Sequence, residues 1–336
     1  MIEDIKIEGK NVSFSVVLTT PACPMKDMIQ SACINAIKLM VDAKAEVSVK
    51  MTANVTTDAK NQALPTVKNI IAISSGKGGV GKSTIAANLA VALAGTGAKV
   101  GLVDADVYGP SIPIMFGFDG KRPKVEKIDG RDLLIPFEEH GVKLMSIGVL
   151  VNPDQAIVWR GPMASKALRQ LIFDTNWGEI DYLLVDLPPG TGDIHLTLVQ
   201  ALSLTGAVVV TTPQKVALVD ARKGAEMFRT PQINVPLLGI IENMSYFVPD
   251  DALEKKYYIF GEGGGTELAA ALSTDLLGQI PMREGIAKNG DKGTPIVDKD
   301  EVLGEAFVVL AKSLAQKIAI RNSTLPPTAK VEITTV

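Results

Sequence analysis

A mainly parallel β-sheet covered by helices on both faces is the fold predicted for most of this chain, and three observations predict it. From Val67 to about Arg321, runs of strand length alternate with helical segments in βαβα order. The strand-like runs, such as Ile70-Ile71-Ala72-Ile73 and Tyr182-Leu183-Leu184-Val185, are apolar without alternation, as strands buried on both sides are. The first run feeds a glycine-rich loop and then a helix, the context of a phosphate-binding loop.

In chain order, residues 1–52 read as a small α/β unit. Ile5 to Glu8 and Val12 to Leu18 are strands around a Gly9-Lys10-Asn11 turn. Thr20-Pro21-Ala22-Cys23-Pro24 opens a helix from about Met25 to Val41, and Ala45 to Lys50 alternates as a third strand. So short a unit has little core of its own and is expected to lean on a neighbour. Residues 53–66 are polar and aperiodic, a linker. The large unit spans 67–321. Its strands are predicted at 69–74, 99–104, 181–186, 206–212, 237–242 and 276–280. Its helices are predicted at 82–95, 162–173, 193–203, 216–229, 265–272 and 300–320. Leu133-Leu134-Ile135 and Val142 to Ile147 flank a polar turn and read as a hairpin insertion. Residues 322–336, with Leu325-Pro326-Pro327, read as a flexible tail.

The chain has 336 residues, 46% of them hydrophobic and 21% charged, with a net charge of −3 and two cysteines. That length suits about two domains. The isoelectric point near 5.6 gives no basic field for nucleic acid or acidic lipid. No apolar run reaches the roughly 18 residues of a membrane span. Met1-Ile2-Glu3-Asp4 lacks the basic start of a secretion signal, so a cytoplasmic protein with neither nucleic-acid nor membrane partner is expected.

The chemistry starts at Gly76-Lys77-Gly78-Gly79-Val80-Gly81-Lys82-Ser83, which satisfies G-x-x-x-x-G-K-[ST] and is followed by Thr84. Backbone amides of such a loop wrap phosphate oxygens, the lysine reaches the terminal phosphates, and the hydroxyl holds Mg2+. The same glycines also spell the dinucleotide fingerprint G-x-G-x-x-G, with Asp104 and Asp106 near the spacing of a ribose-binding acid, about 20 residues on. Lys82-Ser83 argues for the triphosphate, since a pyrophosphate on a helix N-terminus needs no lysine there. A second motif agrees: the strand ending in Asp186 supplies the acid that a nucleoside-triphosphatase needs for Mg2+. Ligands of open α/β sheets bind at the carboxyl ends of strands. Four segments should meet there: the phosphate loop, Asp104 to Ser111, Asp186 to Asp193, and Glu242-Asn243-Met244-Ser245.

Together, Gly76 to Thr84, Asp104-Ala105-Asp106-Val107-Tyr108-Gly109-Pro110-Ser111 and Asp186-Leu187-Pro188-Pro189-Gly190-Thr191-Gly192-Asp193 resemble the deviant phosphate-loop ATPases related to ParA and MinD. Trp159-Arg160-Gly161-Pro162-Met163 and Glu242 to Phe247 narrow the likeness to the Mrp/ApbC iron–sulfur cluster carriers, across most of residues 67–320. The N-terminal unit, with Thr19 to Pro24, resembles the small domain fused to many such carriers. That domain normally begins with another helix, so the unit here is expected to start late or to be shortened.

The resemblance implies a slow, switch-like ATPase that works as a homodimer with ATP and Mg2+. Its partners would be iron–sulfur scaffolds or recipient apoproteins. Lys77 would cross the dimer interface to the partner's nucleotide, as an arginine finger does. Asp106 would orient the attacking water, and Asp104 would anchor the metal shell or the loop. Asp186 would hold Mg2+ through water, and Gly190 would sense the γ-phosphate. Asn243 would read adenine, with a strand-end cap as the alternative; Asp104 and Asp106 have helix capping as theirs.

One element of the family pattern is missing. Its Cys-x-x-Cys pair, two thiolates per protomer for a shared [4Fe–4S] cluster, should follow the Asn-Met-Ser-Tyr-Phe segment. Here Phe247 to Gly261 contains no cysteine, and Asp250, Asp251 and Glu254 are hard ligands that suit a solvated loop better than iron–sulfur chemistry. Cys23 and Cys33, ten residues apart on one predicted helix, would stand about 15 Å apart. Cys23, at the helix start, is the candidate ligand that remains; Cys33 reads as core. Cluster carriage would then use another site, a transient ligand set or a partner. His140 and His195 read as structural, and Gly261 to Glu267 as a loop entering a helix. Two rival readings are a ParA/MinD-like positioning ATPase and a nucleotide-binding scaffold without cluster carriage.

Overall fold

The computed structural model describes residues 1–57, 64–150, 161–249 and 251–328. Trp159, Arg160, Asp250, residues 58–63 of the linker and the last eight residues of the tail lie outside them.

In the N-terminal unit, β1 (Ile2–Glu8) pairs antiparallel with β2 (Asn11–Leu18). A crossover through α1 (Lys26–Met40) then brings β3 (Glu46–Ala53) parallel to β2. Phe14, Val16, Leu18 and Val49 form its small core, and Cys23, Ile29, Cys33 and Ile37 pack against it. No residue of α1 is fully buried, so this core is thin. The unit leans on its neighbour, as its size predicts. Ala22 is 1% exposed within the core of the large unit, and Tyr182 Oη donates a 3.0 Å hydrogen bond to the buried Thr20 Oγ1.

The large unit begins with β4 (Val67–Ser75), α2 (Lys82–Gly95), β5 (Val100–Asp104) and α3 (Ile112–Met115). Four short strands come after them: β6 (Lys124–Ile128), β7 (Arg131–Ile135), β8 (Phe137–Glu139) and β9 (Val142–Ser146). Next are α4 (Gly161–Phe173), β10 (Ile180–Asp186), α5 (Asp193–Ala201), β11 (Gly206–Thr211) and α6 (Lys215–Arg229). The unit closes with β12 (Leu237–Phe247), α7 (Gly264–Ala271), β13 (Leu276–Met282), α8 (Glu284–Asp291) and α9 (Glu301–Thr324).

The main sheet runs β13-β12-β11-β4-β10-β5-β9-β8, parallel except for β8 at its edge. Alternation along the strands sends Ile71, Ile73, Leu184 and Val208 to the face covered by α2 and α9. It sends Ile70, Ala72, Leu183 and Val185 to the face covered by α4 and α5, while α6 and α7 close over β11 and β12. The predicted fold is the observed one. Sandwiched between the sheet and α9, α2 buries ten of its fourteen residues, which is why its sequence is rich in alanine and leucine and shows no polar stripe.

Several elements differ from the sequence reading, which has no counterpart of α3, β6, β8 or α8. Leu133–Ile135 and Val142–Ile147 do not form one hairpin. Instead β7 pairs back onto β6 across Asp129-Gly130, both at positive φ as a type I′ turn demands. β9, almost wholly buried, joins the main sheet beside β5. Pro136 separates the two pairings, since it has no amide for a ladder. β12 runs to Phe247, five residues past the predicted end. α9 runs to Thr324, four residues past its predicted end, and Arg321 anchors the start of the tail by donating to Pro326 O at 2.9 Å and Thr328 Oγ1 at 2.8 Å.

Candidate active site

Because β4, β5, β10, β11 and β12 are parallel, their carboxyl ends share one edge of the sheet, and the four predicted segments meet there. The phosphate loop leaves β4 at Ser75, whose Oγ donates to Lys77 O at 3.0 Å. It enters α2 through Gly81 at φ +78, a left-handed turn that glycine accommodates without strain. Its start is pressed against α6: a Cβ on Gly76 would collide with the Asp220 backbone. The cleft around the loop holds about 230 Å³, with Lys77, Lys82, Ser83, Thr84, Asp106 and Pro189 among its lining. That is smaller than the roughly 300–1,000 Å³ of a pocket enclosing a whole ligand, and it suits the phosphate chain of a nucleotide.

Lys82 is the electrostatic centre. Its Nζ lies 2.7 Å from Asp186 Oδ1, 3.4 Å from Ser83 Oγ and 4.0 Å from Asp106 Oδ2. Asp186 is fully buried, and burial drives its carboxyl above the ordinary carboxylate range while Lys82 opposes the shift. Its other oxygen, Oδ2, is buried with no hydrogen-bond partner. An orphaned carboxylate oxygen close to a serine hydroxyl is a hard-oxygen donor set, so these residues fit a magnesium ion and its bound water.

Asp104 stands beside Asp186 in the sheet register and is fully buried. Burial, then the neighbouring Asp186, pushes its carboxyl up to about 7. It accepts from the amides of Asp106 and Ile112, both at 3.2 Å, and from Ser146 Oγ at 2.9 Å. These bonds fasten the loop that carries Asp106, whose Oδ1 accepts the Tyr108 amide while Oδ2 faces Lys82. Gly190, at φ +91, donates its amide to Ser75 O at 2.9 Å, tying the Pro188-Pro189-Gly190 loop to the base of the phosphate loop. Asn243 is buried and donates Nδ2 to Val80 O at 2.8 Å.

Sequence reasoning missed one participant, Ser146, and did not anticipate the contacts Glu242 makes outside the cleft; His195, read as structural, is buried. Ser146 sits on β9, a strand that reads as half of a hairpin, so nothing placed it beside Asp104. Glu242, read only as part of a motif, is fully buried and accepts from the Gly265 amide and from Gln279 Nε2. His195 lies 1% exposed in the first turn of α5. Burial, reinforced by the Lys82 charge, lowers it to about 4, so it is neutral at physiological pH.

The position of the family's thiolate pair holds a different structure. Phe247 and Tyr257 exchange backbone hydrogen bonds at 2.8 and 2.9 Å. Tyr246 packs edge-on against Tyr258, and Lys256 Nζ stands 4.4 Å from the Tyr246 ring centroid. Leu253, Tyr257, Tyr258 and Ile259 are exposed. Cys23 lies in the turn before α1, not on the helix as predicted, and both cysteines are half-buried and free. Among the described residues no group of three or more His, Cys, Asp or Glu side chains is placed to hold a metal ion. The donor set does not fit a [4Fe–4S] cluster.

Comparison with known proteins agrees with the site. Residues 66–319 match the model of the ParA family described as NUBPL iron-transfer P-loop NTPase. Residues 1–50 match the model described as iron–sulfur cluster assembly protein. The chain is 49% identical over 326 residues to an iron–sulfur cluster carrier protein of Synechocystis, covering 95% of this chain and 91% of the relative. It is 48% identical over 295 residues to the protein of the same name from Escherichia coli, covering 87% and 77%. Among solved structures, a nucleotide-binding protein from Archaeoglobus fulgidus in complex with ADP is 39% identical, with a TM-score of 0.60, covering 71% of this chain and 92% of that one. The cell division ATPase MinD of Pyrococcus furiosus, at 22% identity and a TM-score of 0.53, shares the fold.

Proposed function

The chain belongs to the iron–sulfur cluster carrier family of iron-transfer P-loop NTPases, and from that premise we propose that it binds ATP with Mg2+, hydrolyses it slowly as a homodimer, and couples nucleotide state to the handling of iron–sulfur cargo. The observation that carries the reading is the buried Lys82–Asp186 pair, with one Asp186 oxygen left without a hydrogen bond and Lys82 lining a phosphate-sized cleft.

The phosphate chain rests on the amides of Gly78 to Ser83, with Lys82 moving from Asp186 toward the terminal phosphate. Ser83 and Asp186 are the residues that would hold Mg2+, directly or through water, and Asp104 anchors the loop that carries Asp106. When bound, the ion neutralises the β- and γ-phosphate oxygens. Asp106 orients a water whose oxygen forms a bond to the γ-phosphorus as the bond to the β-bridging oxygen breaks. ADP and inorganic phosphate leave, and the water's proton passes to phosphate or solvent. Lys77 of each protomer supplies charge to the partner's nucleotide across the dimer. Gly190 exchanges its bond to Ser75 O for one to the γ-phosphate, which makes the 187–192 loop the reporter of nucleotide state. Asn243 keeps its carbonyl oxygen for the adenine edge while its amide holds the loop.

Lys82→Ala tests the engine: ATP hydrolysis by the purified chain should fall by about 10²–10³-fold, the scale of losing one preorganised charge at the transferred phosphoryl group. Retained hydrolysis refutes the assignment. The cargo is tested separately, by anaerobic reconstitution of the full chain and of Cys23→Ser with iron counting. A site supplied by a partner or a transient ligand set predicts substoichiometric iron that Cys23→Ser does not change. A stable, stoichiometric [4Fe–4S] cluster on the chain by itself overturns that part of the reading. No helix among the described residues is long and apolar enough to cross a membrane.

A further inference from the structure

We propose that the end of β12 is a mechanical link in which Asn243 positions the phosphate loop and Glu242 positions the start of α7, so that nucleotide in the cleft is felt by residues 247–263 between them. The inference rests on the reading that nucleotide binds in the cleft.

Successive residues of a strand point to opposite faces. Asn243 and Glu242 use both. On one face, Asn243 Nδ2 donates to Val80 O at 2.8 Å, and a Cβ on Gly81 would collide with that nitrogen. Amide and loop are therefore in close contact, and a displacement of the loop on taking up phosphate must move the amide or break its bond. On the other face, the buried Glu242 carboxylate accepts the Gly265 amide and Gln279 Nε2, closing the first turn of α7. That contact is equally tight, since a Cβ on Gly265 would lie 2.8 Å from Glu242 Cβ.

The strand is deformed where the two contacts meet. From Ile241 opposite Gly278 to Asn243 opposite Ile280 the pairing of β12 with β13 is regular, and the next pair is Phe247 opposite Met282. Four steps on one strand match two on the other, so β12 carries a bulge. Inside it Met244 has φ +53, and Ser245 Oγ donates to Glu242 O at 2.8 Å. A bulge with a left-handed, non-glycine residue is costly, and bulges re-aim the chain beyond them. Here the chain beyond is the Phe247–Tyr257 hairpin, closed at its far end by the Gly261 to Gly265 loop that Glu242 holds. One end of the segment thus runs on from the bulge, and the other is held by Glu242 of the same strand. Glu242 and Asn243 touch neither cargo nor reacting atoms in this role; both act by position.

Hydrogen exchange on the full chain, with and without Mg·ATP, tests the link. In the wild type, saturating nucleotide should change exchange of the 247–263 amides by about fivefold or more, the low end of ordinary coupling between sites. Glu242→Gln, away from the cleft, should bind nucleotide with affinity within about twofold of the wild type and lose the hairpin response. Asn243→Ala should weaken binding and lose the response even when saturated. If Glu242→Gln fails to fold, Gln279→Ala removes a partner of the same carboxylate and is read in the same way. A response that persists in both variants, or a wild-type hairpin indifferent to bound nucleotide, overturns the link. So does a lowered melting temperature with an unchanged nucleotide-dependent difference, which is what a merely structural role predicts. A wild-type chain that binds no nucleotide overturns the nucleotide reading itself, and is recognised by binding measured in the same samples.

Discussion

The nucleotide cleft and the segment after β12 lie along one edge of the same sheet, yet opposite physics organises them. In the cleft, Lys82, Asp104, Asp106 and Asp186 are buried, and each is placed by another charge or by backbone amides. In the segment, Asp251, Glu254, Lys255 and Lys256 are exposed, and the fixed contacts are backbone hydrogen bonds, an aromatic pair and the Lys256–Tyr246 contact. A buried ion pair tolerates little change, because removing one member strands the other in a low dielectric. A solvated hairpin can exchange one surface chemistry for another at small cost. The phosphate-loop residues of the family can therefore all be present in a chain whose segment after β12 has no pair of cysteines.

The contrast can be broken, and the largest expected effect is at Asp104. Replacing it with alanine strands the Ser146 hydroxyl and the amides of Asp106 and Ile112, at about 1–3 kcal/mol for each group left unsatisfied. Asp104→Ala should unfold in urea with a loss of about 3 kcal/mol or more and lose most ATP turnover, because Asp106 is no longer held. A stable, active variant would show that the cleft is not organised by its buried bonds.

The next effect is acid stability. His195 titrates near 4 when folded and near 6.5 when unfolded, so below pH 6.5 the unfolded chain takes up a proton that the folded chain refuses. Its contribution is present above 6.5 and is lost as pH falls toward 4, up to about 3 kcal/mol. Urea unfolding at pH 7 and pH 4.5 should show a steeper loss for the wild type than for His195→Gln. Equal slopes would place the ring in a solvated site.

The smallest effect is at the hairpin. Tyr258→Ala should cost at most about 1 kcal/mol and leave ATP hydrolysis unchanged, both checked on one preparation. A large loss of either would mean that the segment is wired into the engine through its rings and not only through β12.

Much of the molecule is legible in the sequence, for physical reasons that differ by region. Ile70 to Ile73 and Tyr182 to Val185 are apolar throughout because both faces of a parallel sheet are covered, so the sheet class can be read directly. Gly76 to Thr84 can be read because wrapping a phosphate demands glycines and a lysine at fixed spacing, whatever surrounds them. Asp129-Gly130 carries a turn signal of its own, and passing over it mispairs the insertion. Ser146 is silent: a serine at the end of a strand signals nothing until the sheet order puts β9 beside β5. Asn243 stands out for its amide, and the contact it makes within the chain, with Val80 O, reaches back across 163 residues of sequence.

By itself, the sequence determined the fold class, the phosphate loop, the carboxylates at the strand ends and the absence of a Cys-x-x-Cys pair after β12. Those come from local rules: periodicity, turn chemistry and the ligand preferences of phosphate, magnesium and iron. Only the tertiary structure decided which oxygen of Asp186 is unpartnered, what Asp104 holds, why His195 is neutral, and that Glu242 and Asn243 make their contacts on opposite faces of one bulged strand. Those are consequences of burial and of long-range register, and neither is encoded at the residue where its effect appears.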